Sequence, residues 1–435
     1  MKARLALTIL LCSILSACAG PSLRYKKDVN SLFDAGKFDN AAAKIEANRS
    51  KAYGSRDKLL YLLDLSAAQN AAHKNEASNR VMAAAQQDID DLYTKSIARG
   101  LGTLVVNDYT QPYRPPLFEW AQTYFIRGLD FLSLQDKEGA AVEARRAVFL
   151  LDKARESQSG YNDDAFVQYF SSMIFEDTGN LSSARIARAN AMKAYERQKG
   201  KSAANAPDFP LPPDFEDKGE LVLFHLNGKV PYKISRELMF AWNDLWFTLQ
   251  DNGDLQDVSQ DVINAAFAGA FGRSVTVSFP ALAPSQYMIE TSAVSAYGAE
   301  PVQTQLVSDI AAAARQTLDE EMLANHARMI TRAVTKYILS VQARHAAQKA
   351  AGDTAGDLAG ILFSVLSNIT EKADTRSWFT LPAEIRMASM FLEPGIHNIK
   401  ITFYDRSKNA IDEHLFEKVQ INKGERTYIY HRTAK

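Results

Sequence analysis

The sequence predicts an α+β protein of more than one domain, with helical hairpins first and then a β-sandwich-like domain into which helices are inserted. Three observations lead there. Between Tyr25 and Met173 apolar residues recur at helical spacing. A proline-rich stretch around Pro207 to Pro213 then interrupts the chain. Beyond it, short apolar runs alternate as strands do, separated by turn residues. The chain has 435 residues, 46% hydrophobic and 23% charged. That is ordinary globular composition, and the length suits about two to three domains. The expected division is residues 1–17 as a signal peptide, 18–198 as the helical domain, 199–218 as a linker and 219–435 as the C-terminal α/β domain.

The chain opens with Met1-Lys2-Ala3-Arg4 and an apolar run from Leu5 to Leu15, too short to span a bilayer. Leu15-Ser16-Ala17-Cys18 follows. This stretch resembles the lipobox of bacterial lipoproteins. The resemblance implies cleavage before Cys18 and acylation of both its sulfur and its new amino terminus. Each buried methylene then adds about 0.8 kcal/mol of membrane affinity. The alternative is an ordinary cleaved signal that carries a cysteine. Ala19 stands where an aspartate commonly marks inner-membrane retention in Gram-negative lipoproteins. The expected location is therefore the periplasmic face of the outer membrane. The chain has only two cysteines. Cys12 would leave with the signal and Cys18 would carry lipid, so no disulfide or thiol chemistry is expected.

Helices come next. Tyr25–Ala35 and Phe38–Ala47 form a pair around Gly36; Lys58–Gln69 and Asn75–Arg99 follow. The prolines at 112, 115 and 116 break the pattern before Phe118, Phe125 and Leu129 resume it. Ala144 to Leu151 and Phe166 to Met173 complete the series. The turns at Gly36 and Gly179 share Gly-x-apolar-x-x-Ala, with Ala41 and Ala184 as the small residues, and Asp136-Lys137-Glu138-Gly139-Ala140 is a looser copy. These turns resemble those between the helices of tetratricopeptide repeats, which implies stacked helical hairpins. They also suit a plain helical bundle.

After the linker, Glu220 to Leu226 with Asn227-Gly228 reads as a strand and turn. Ser274–Phe279, Gln286–Ala296 and three C-terminal segments around Ile401, Val419 and Tyr428 are further strands. Two helices are expected between them, from Leu323 to Val341 and from Leu358 to Ile369. The Gly356–Gly360 spacing before the second suits a core helix.

Asp374-Thr375-Arg376-Ser377-Trp378, followed by Leu381-Pro382-Ala383-Glu384-Ile385, is the second distinctive cluster after the lipobox. With the Asn107–Pro116 loop, the Phe224–Pro231 strand-turn and Leu392–His397, it resembles a family of bacterial outer-membrane lipoproteins with tetratricopeptide-like helices. The resemblance covers nearly all of the mature chain. It implies no particular activity, and suggests a cell-envelope role near the lipoproteins that activate peptidoglycan synthases. Asp374, Arg376 and Trp378 have two readings. They could be a structural clasp where the inserted helices rejoin the strands, or a site for a ligand or partner.

Catalytic patterns are missing. There is no Gly-x-Ser-x-Gly, no phosphate-binding Gly-x-x-x-x-Gly-Lys and no His-Glu-x-x-His, and the seven histidines are dispersed. The formal net charge of −1 gives no case for nucleic acid. The expectation is a non-enzymatic, lipid-anchored adaptor that binds envelope proteins through its helices and needs neither metal nor cofactor. The rival is a glycan-binding or glycan-processing module in the C-terminal domain, with Trp242, Trp246 and Trp378 as sugar-stacking surfaces. The lipid anchor is tested by Cys18→Ser. The variant should accumulate as an unprocessed precursor or a soluble protein. Retention in the outer-membrane fraction after a salt wash would contradict the reading.

Overall fold

A computed structural model describes residues 21–97, 112–156, 163–210, 212–241, 274–322 and 373–435. Cys18, Trp242, Trp246 and the two helices expected within 323–369 lie outside these residues. The protein is mixed α+β, with its helices mostly in the N-terminal half and several sheets after them.

Among the described residues, the N-terminal half holds four helix pairs: α1 (Leu23–Asp34) with α2 (Phe38–Ala47), α3 (Lys58–Ala71) with α4 (Asn75–Ile97), α5 (Leu117–Ser133) with α6 (Lys137–Glu156), and α7 (Ala165–Asp177) with α8 (Leu181–Gln198). All four turns are built alike. One residue is left-handed, and the next donates its N–H to the carbonyl five residues back: Lys37 to Leu32, Lys74 to Gln69, Asp136 to Phe131 and Asn180 to Phe175. That bond is the Schellman closure. The left-handed residues are Gly36, His73, Gln135 and Gly179. Five residues after each stands a small, buried side chain: Ala41, Ser78, Ala140 and Ala184. Gly139 therefore is not the turn residue of the third pair. It permits close packing instead, since an added Cβ would lie 2.5 Å from the Phe131 ring.

The C-terminal half holds β1 (Gly219–Asn227), β2 (Lys233–Ala241), β3 (Ser274–Leu282), β4 (Thr291–Ala296), β5 (Val302–Gln303), β6 (Gln305–Asp309), β7 (Glu384–Leu392), β8 (Gly395–Tyr404), β9 (Ala410–Ile421) and β10 (Arg426–Thr433). A helix, α9, starts at residue 310 and is described to residue 322. One sheet has the order β10-β1-β7-β6, a second β5-β4-β8-β9, and β2 pairs with β3 alone. β1 runs parallel to β10 and antiparallel to β7.

The first sheet is buried on both faces. On one, Val222, Phe224, Leu226, Ile385, Met387 and Tyr430 join the core of the helices. On the other, Leu221, Leu223, Ala388, Met390 and Leu392 pack with Val294, Ile399, Ile401 and Phe403 of the second sheet. Strand alternation divides β1 between the two cores, which explains its nearly unbroken apolar run. Phe224 is the hinge of the first core. Its ring centroid lies 5.8 Å from Phe125, 5.8 Å from Phe166 and 5.6 Å from Phe170, all nearly edge-on.

The 199–218 segment was expected to be an extended linker between separable cores. Its described part is instead packed along β6. Asn205 donates its N–H to Leu306 O at 3.0 Å, and Asp208 donates to Gln305 Oε1 at 2.9 Å. Just before it, Tyr195 Oη donates to Val307 O at 2.8 Å. These bonds cover a sheet edge that would otherwise be open.

Because the core is shared, Phe224→Ala should destabilise both halves together, by about 3–5 kcal/mol. Urea unfolding followed by helical circular dichroism and by aromatic fluorescence should shift as one transition. A helical signal left unchanged would show that the halves fold independently.

Candidate functional site

Among the described residues, two places that concentrate polar and aromatic side chains stand out as candidate sites: the junction where residues 374–380 meet the helices, and a groove on α4, α5 and α6.

At the junction, a segment without regular secondary structure brings its own charge and meets buried charges that the helices supply. Arg376 grips Asp374 with both ends of its fork, Nε to Oδ1 at 2.9 Å and Nη2 to Oδ2 at 2.7 Å. Its Nη1 reaches Asp57 Oδ1 at 3.0 Å. Both Arg376 and Asp57 are buried. Burial alone opposes the charge on Arg376, but Asp374 and then Asp57 outweigh it and raise its pKa above the usual value. The guanidinium also lies 5.8 Å from the centre of the Tyr113 ring. Lys26 donates to Thr375 O at 2.7 Å. Trp378 N–H donates to Glu119 Oε1 at 3.1 Å, and its indole Nε1 donates to Thr380 Oγ1 at 3.0 Å. Thr380 in turn donates to Asp64 Oδ1 at 2.9 Å, and Tyr53 Oη donates to Asp64 Oδ2 at 3.0 Å. Tyr113 donates to the other oxygen of Glu119.

Desolvation dominates this cluster. It pushes Asp64 up to about 8 and Glu119 up to about 7, each partly offset by its hydrogen bonds. It pulls Lys26 down to about 8, partly offset by Asp64. These groups are therefore poised near neutrality but sealed from solvent. Their hydrogen bonds hold the segment against α1, α3 and α5. The structure thus unites Asp374 and Arg376 as the motif suggests, and adds Lys26, Asp57, Asp64, Tyr113 and Glu119. Trp378 is 0% exposed, so its ring has no face to offer a sugar. Asp64 and Glu119 gave no sequence signal beyond being acids within apolar helical stretches.

The groove lies on α4, α5 and α6, sharing only α5 with the junction, and encloses about 680 Å³. Leu117, Trp120 and Tyr124 of α5 form one wall; Arg145, Arg146, Phe149, Leu150 and Lys153 of α6 form the other, and Asp90 of α4 closes it. Phe149 is 64% exposed, and Lys153 Nζ sits 5.4 Å from its ring centre. The floor is fixed. Trp120 Nε1 donates to Tyr124 Oη at 3.1 Å. Arg146 stacks 5.3 Å above the Tyr124 ring while bonding Gln86 at 2.7 Å and Asp90 at 2.9 Å. Beneath them, Glu143 joins Gln86 at 2.7 Å and Arg127 at 2.9 Å. Burial raises the pKa of Tyr124 to about 12 and also raises that of Glu143, which Arg127 partly offsets. Tyr124 is thus neutral across the physiological range.

The groove mixes apolar and aromatic surface with three cations and one acid. Trp, Tyr and Arg are the residues that most often anchor protein interfaces. An exposed Phe on a rigid helix needs an explanation that isolated surface leucines do not. Among the described residues, no group of His, Cys, Asp or Glu could hold a metal ion, and no helix is long and apolar enough to cross a membrane. Compared with protein families, curated proteins and solved structures, the chain shows no significant match.

Removing one partner of a buried ion pair strands the other, at about 3–5 kcal/mol. Arg376→Ala should therefore lower the melting temperature of the whole chain sharply, and Arg376→Lys, lacking the bidentate fork, should recover only part of the loss. An unchanged melting temperature for Arg376→Ala would remove any structural role from this pair.

Proposed function

We propose that the chain is a non-enzymatic adaptor of the cell envelope, anchored by lipid at Cys18 to the periplasmic face of the outer membrane, that captures a protein partner in the α4–α5–α6 groove. The observation that carries this is the exposed Phe149 beside Trp120 and a cationic rim, on helices whose other faces are already buried in the large core. The four hairpins closed by one turn geometry support a tetratricopeptide-like array, whose usual work is to present such grooves. The two facing sheets support the β-sandwich-like reading of the C-terminal half. In this reading that half braces the helices, and Asp374, Arg376 and Trp378 are its clasp.

Charge complementarity defines the partner. Arg145, Arg146 and Lys153 face one acid, Asp90, in a chain whose net charge is −1. The partner is a protein segment with acidic residues around one apolar or aromatic anchor, the anchor seated between Trp120 and Phe149. Rim charges of this kind govern association rate and salt dependence, while the buried aromatic contact governs lifetime. Proteins of the peptidoglycan-synthesis machinery are the envelope partners this reading favours.

A photo-crosslinking amino acid at position 149, used in intact cells, tests it. The crosslinked peptide, identified by mass spectrometry, should come from another envelope protein and carry acidic residues near an apolar side chain. Arg145→Glu with Lys153→Glu should cut the crosslink at least about tenfold, without lowering the melting temperature. Crosslinks confined to this chain, to glycan or to non-acidic segments would overturn the proposal.

A further inference from the structure

Three of the histidines that look scattered in sequence meet at the seam between the helices and the last two strands. His73 is the left-handed residue of the α3–α4 turn. Its ring lies 4.6 Å from Tyr430 of β10 and 6.5 Å from Phe416 of β9. His414 of β9 stacks on His431 of β10, with ring centres 4.0 Å apart and planes 29° apart. Phe416 and Phe403 flank the pair, at 4.7 Å from His414 and 5.4 Å from His431. His431 Nδ1 is buried with no hydrogen-bond partner among the described residues. Across the seam, Tyr430 Oη donates to Asn70 O at 2.9 Å, tying β10 to the end of α3.

We infer that the His73–His414–His431 cluster is an acid-responsive seam, at which protonation of stacked imidazoles weakens the union of the α3–α4 turn with β9 and β10. Two imidazoles at this separation cannot both carry charge without repulsion, and the aromatic cage removes part of that charge's solvation, His414 and His431 each being half-buried. The other ionisable groups facing the cluster do not neutralise it. Asp412 of β9 favours charge on His414 and His431, but it is paired with Lys435 at 2.6 Å. Arg432 of β10 opposes charge on His431. On the helical side, Lys74 is paired with Asp39 at 2.5 Å, and Asp130 faces Tyr430 from α5. His225 of β1, whose ring lies 5.0 Å from Phe403, stands behind the cage and is itself fully buried.

The sign follows. Burial lowers the pKa of all three rings, with His414 further lowering His73 and His431; His431 falls to about 3. The folded state binds fewer protons than the unfolded one, in which histidine titrates near 6.5. The seam is fully stable above about pH 6.5 and loses stability as pH falls toward the folded values, up to about tenfold in the folding equilibrium per pH unit per histidine. Acid would loosen the contact between the α3–α4 turn and the last two strands.

The test compares the full chain with a His414→Phe/His431→Phe variant, which keeps the aromatic stack but cannot take up the protons. Between pH 7 and pH 5, the folding equilibrium of the unsubstituted protein should fall at least about tenfold more than that of the variant. Equal pH dependence would overturn the inference. If the variant does not fold, the NMR titration of the unsubstituted protein decides. A His431 ring that stays neutral at pH 5 supports the seam, and one that titrates near 6.5 overturns it.

Discussion

A sheet buried on both faces is the constraint on which this molecule rests. β1 sends Val222 and Phe224 to the helices, and Leu221 and Leu223 to the second sheet. Neither face can be left in water, since a fully buried aliphatic or aromatic side chain stabilises by about 1.5–3 kcal/mol relative to its exposed form. The helices are therefore not an independent module appended to a sheet domain. They are the cover of its inner face, and the sheet is their core.

The buried polar junction follows from the same constraint. To close the inner face, the segment from residue 373 onward brings Arg376, the Trp378 N–H and the Thr380 hydroxyl into a dry site among the helices. Each must find a partner there. Asp57, Asp64 and Glu119 supply them, and Lys26 supplies a donor for a carbonyl of the same segment. Such a set contributes less net stability than apolar packing would, but it admits one seating of the segment and penalises others. The groove and the histidine seam both depend on that seating: α5 carries Glu119 inside and Trp120 on the groove wall, and α3 carries Asp64 inside and the His73 turn at its end.

Much of the architecture was legible. The helices before the proline-rich segment, β1, β3 and the C-terminal strands follow from periodicity, and two of the four hairpin turns follow from Gly36 and Gly179, whereas α9 starts at residue 310, before the helix that the pattern from Leu323 predicts. The third turn is legible in Asp136–Ala140 but points to Gly139 as its turn residue, and the second carries no glycine at all, because Gln135 and His73 accept the left-handed conformation that glycine usually signals. β2, β6 and β7 lacked the clean alternation that marks a half-exposed strand; β7 is buried on both faces and reads like a helix or a core loop. Asp374, Arg376 and Trp378 stand out as a motif, yet their partners do not. Asp57 lies 319 residues from Arg376, and nothing local marks it. The proline-rich segment looked like a free linker because proline and small residues suit one, whereas its backbone pairs with β6. The groove was invisible because Trp120 and Phe149 fit a buried helical stripe as well as an exposed one.

Helices and sheet share one core around β1 and should open as one cooperative unit. Amide hydrogen exchange under increasing, sub-denaturing urea tests it most directly. The amides of Leu60 and Leu63 in α3 and of Val222 and Phe224 in β1 should converge on a single opening free energy and a single urea dependence. If the α3 amides instead exchange through an opening well below that of β1, the helices unfold while the sheet persists, and the shared core is not what holds the protein together.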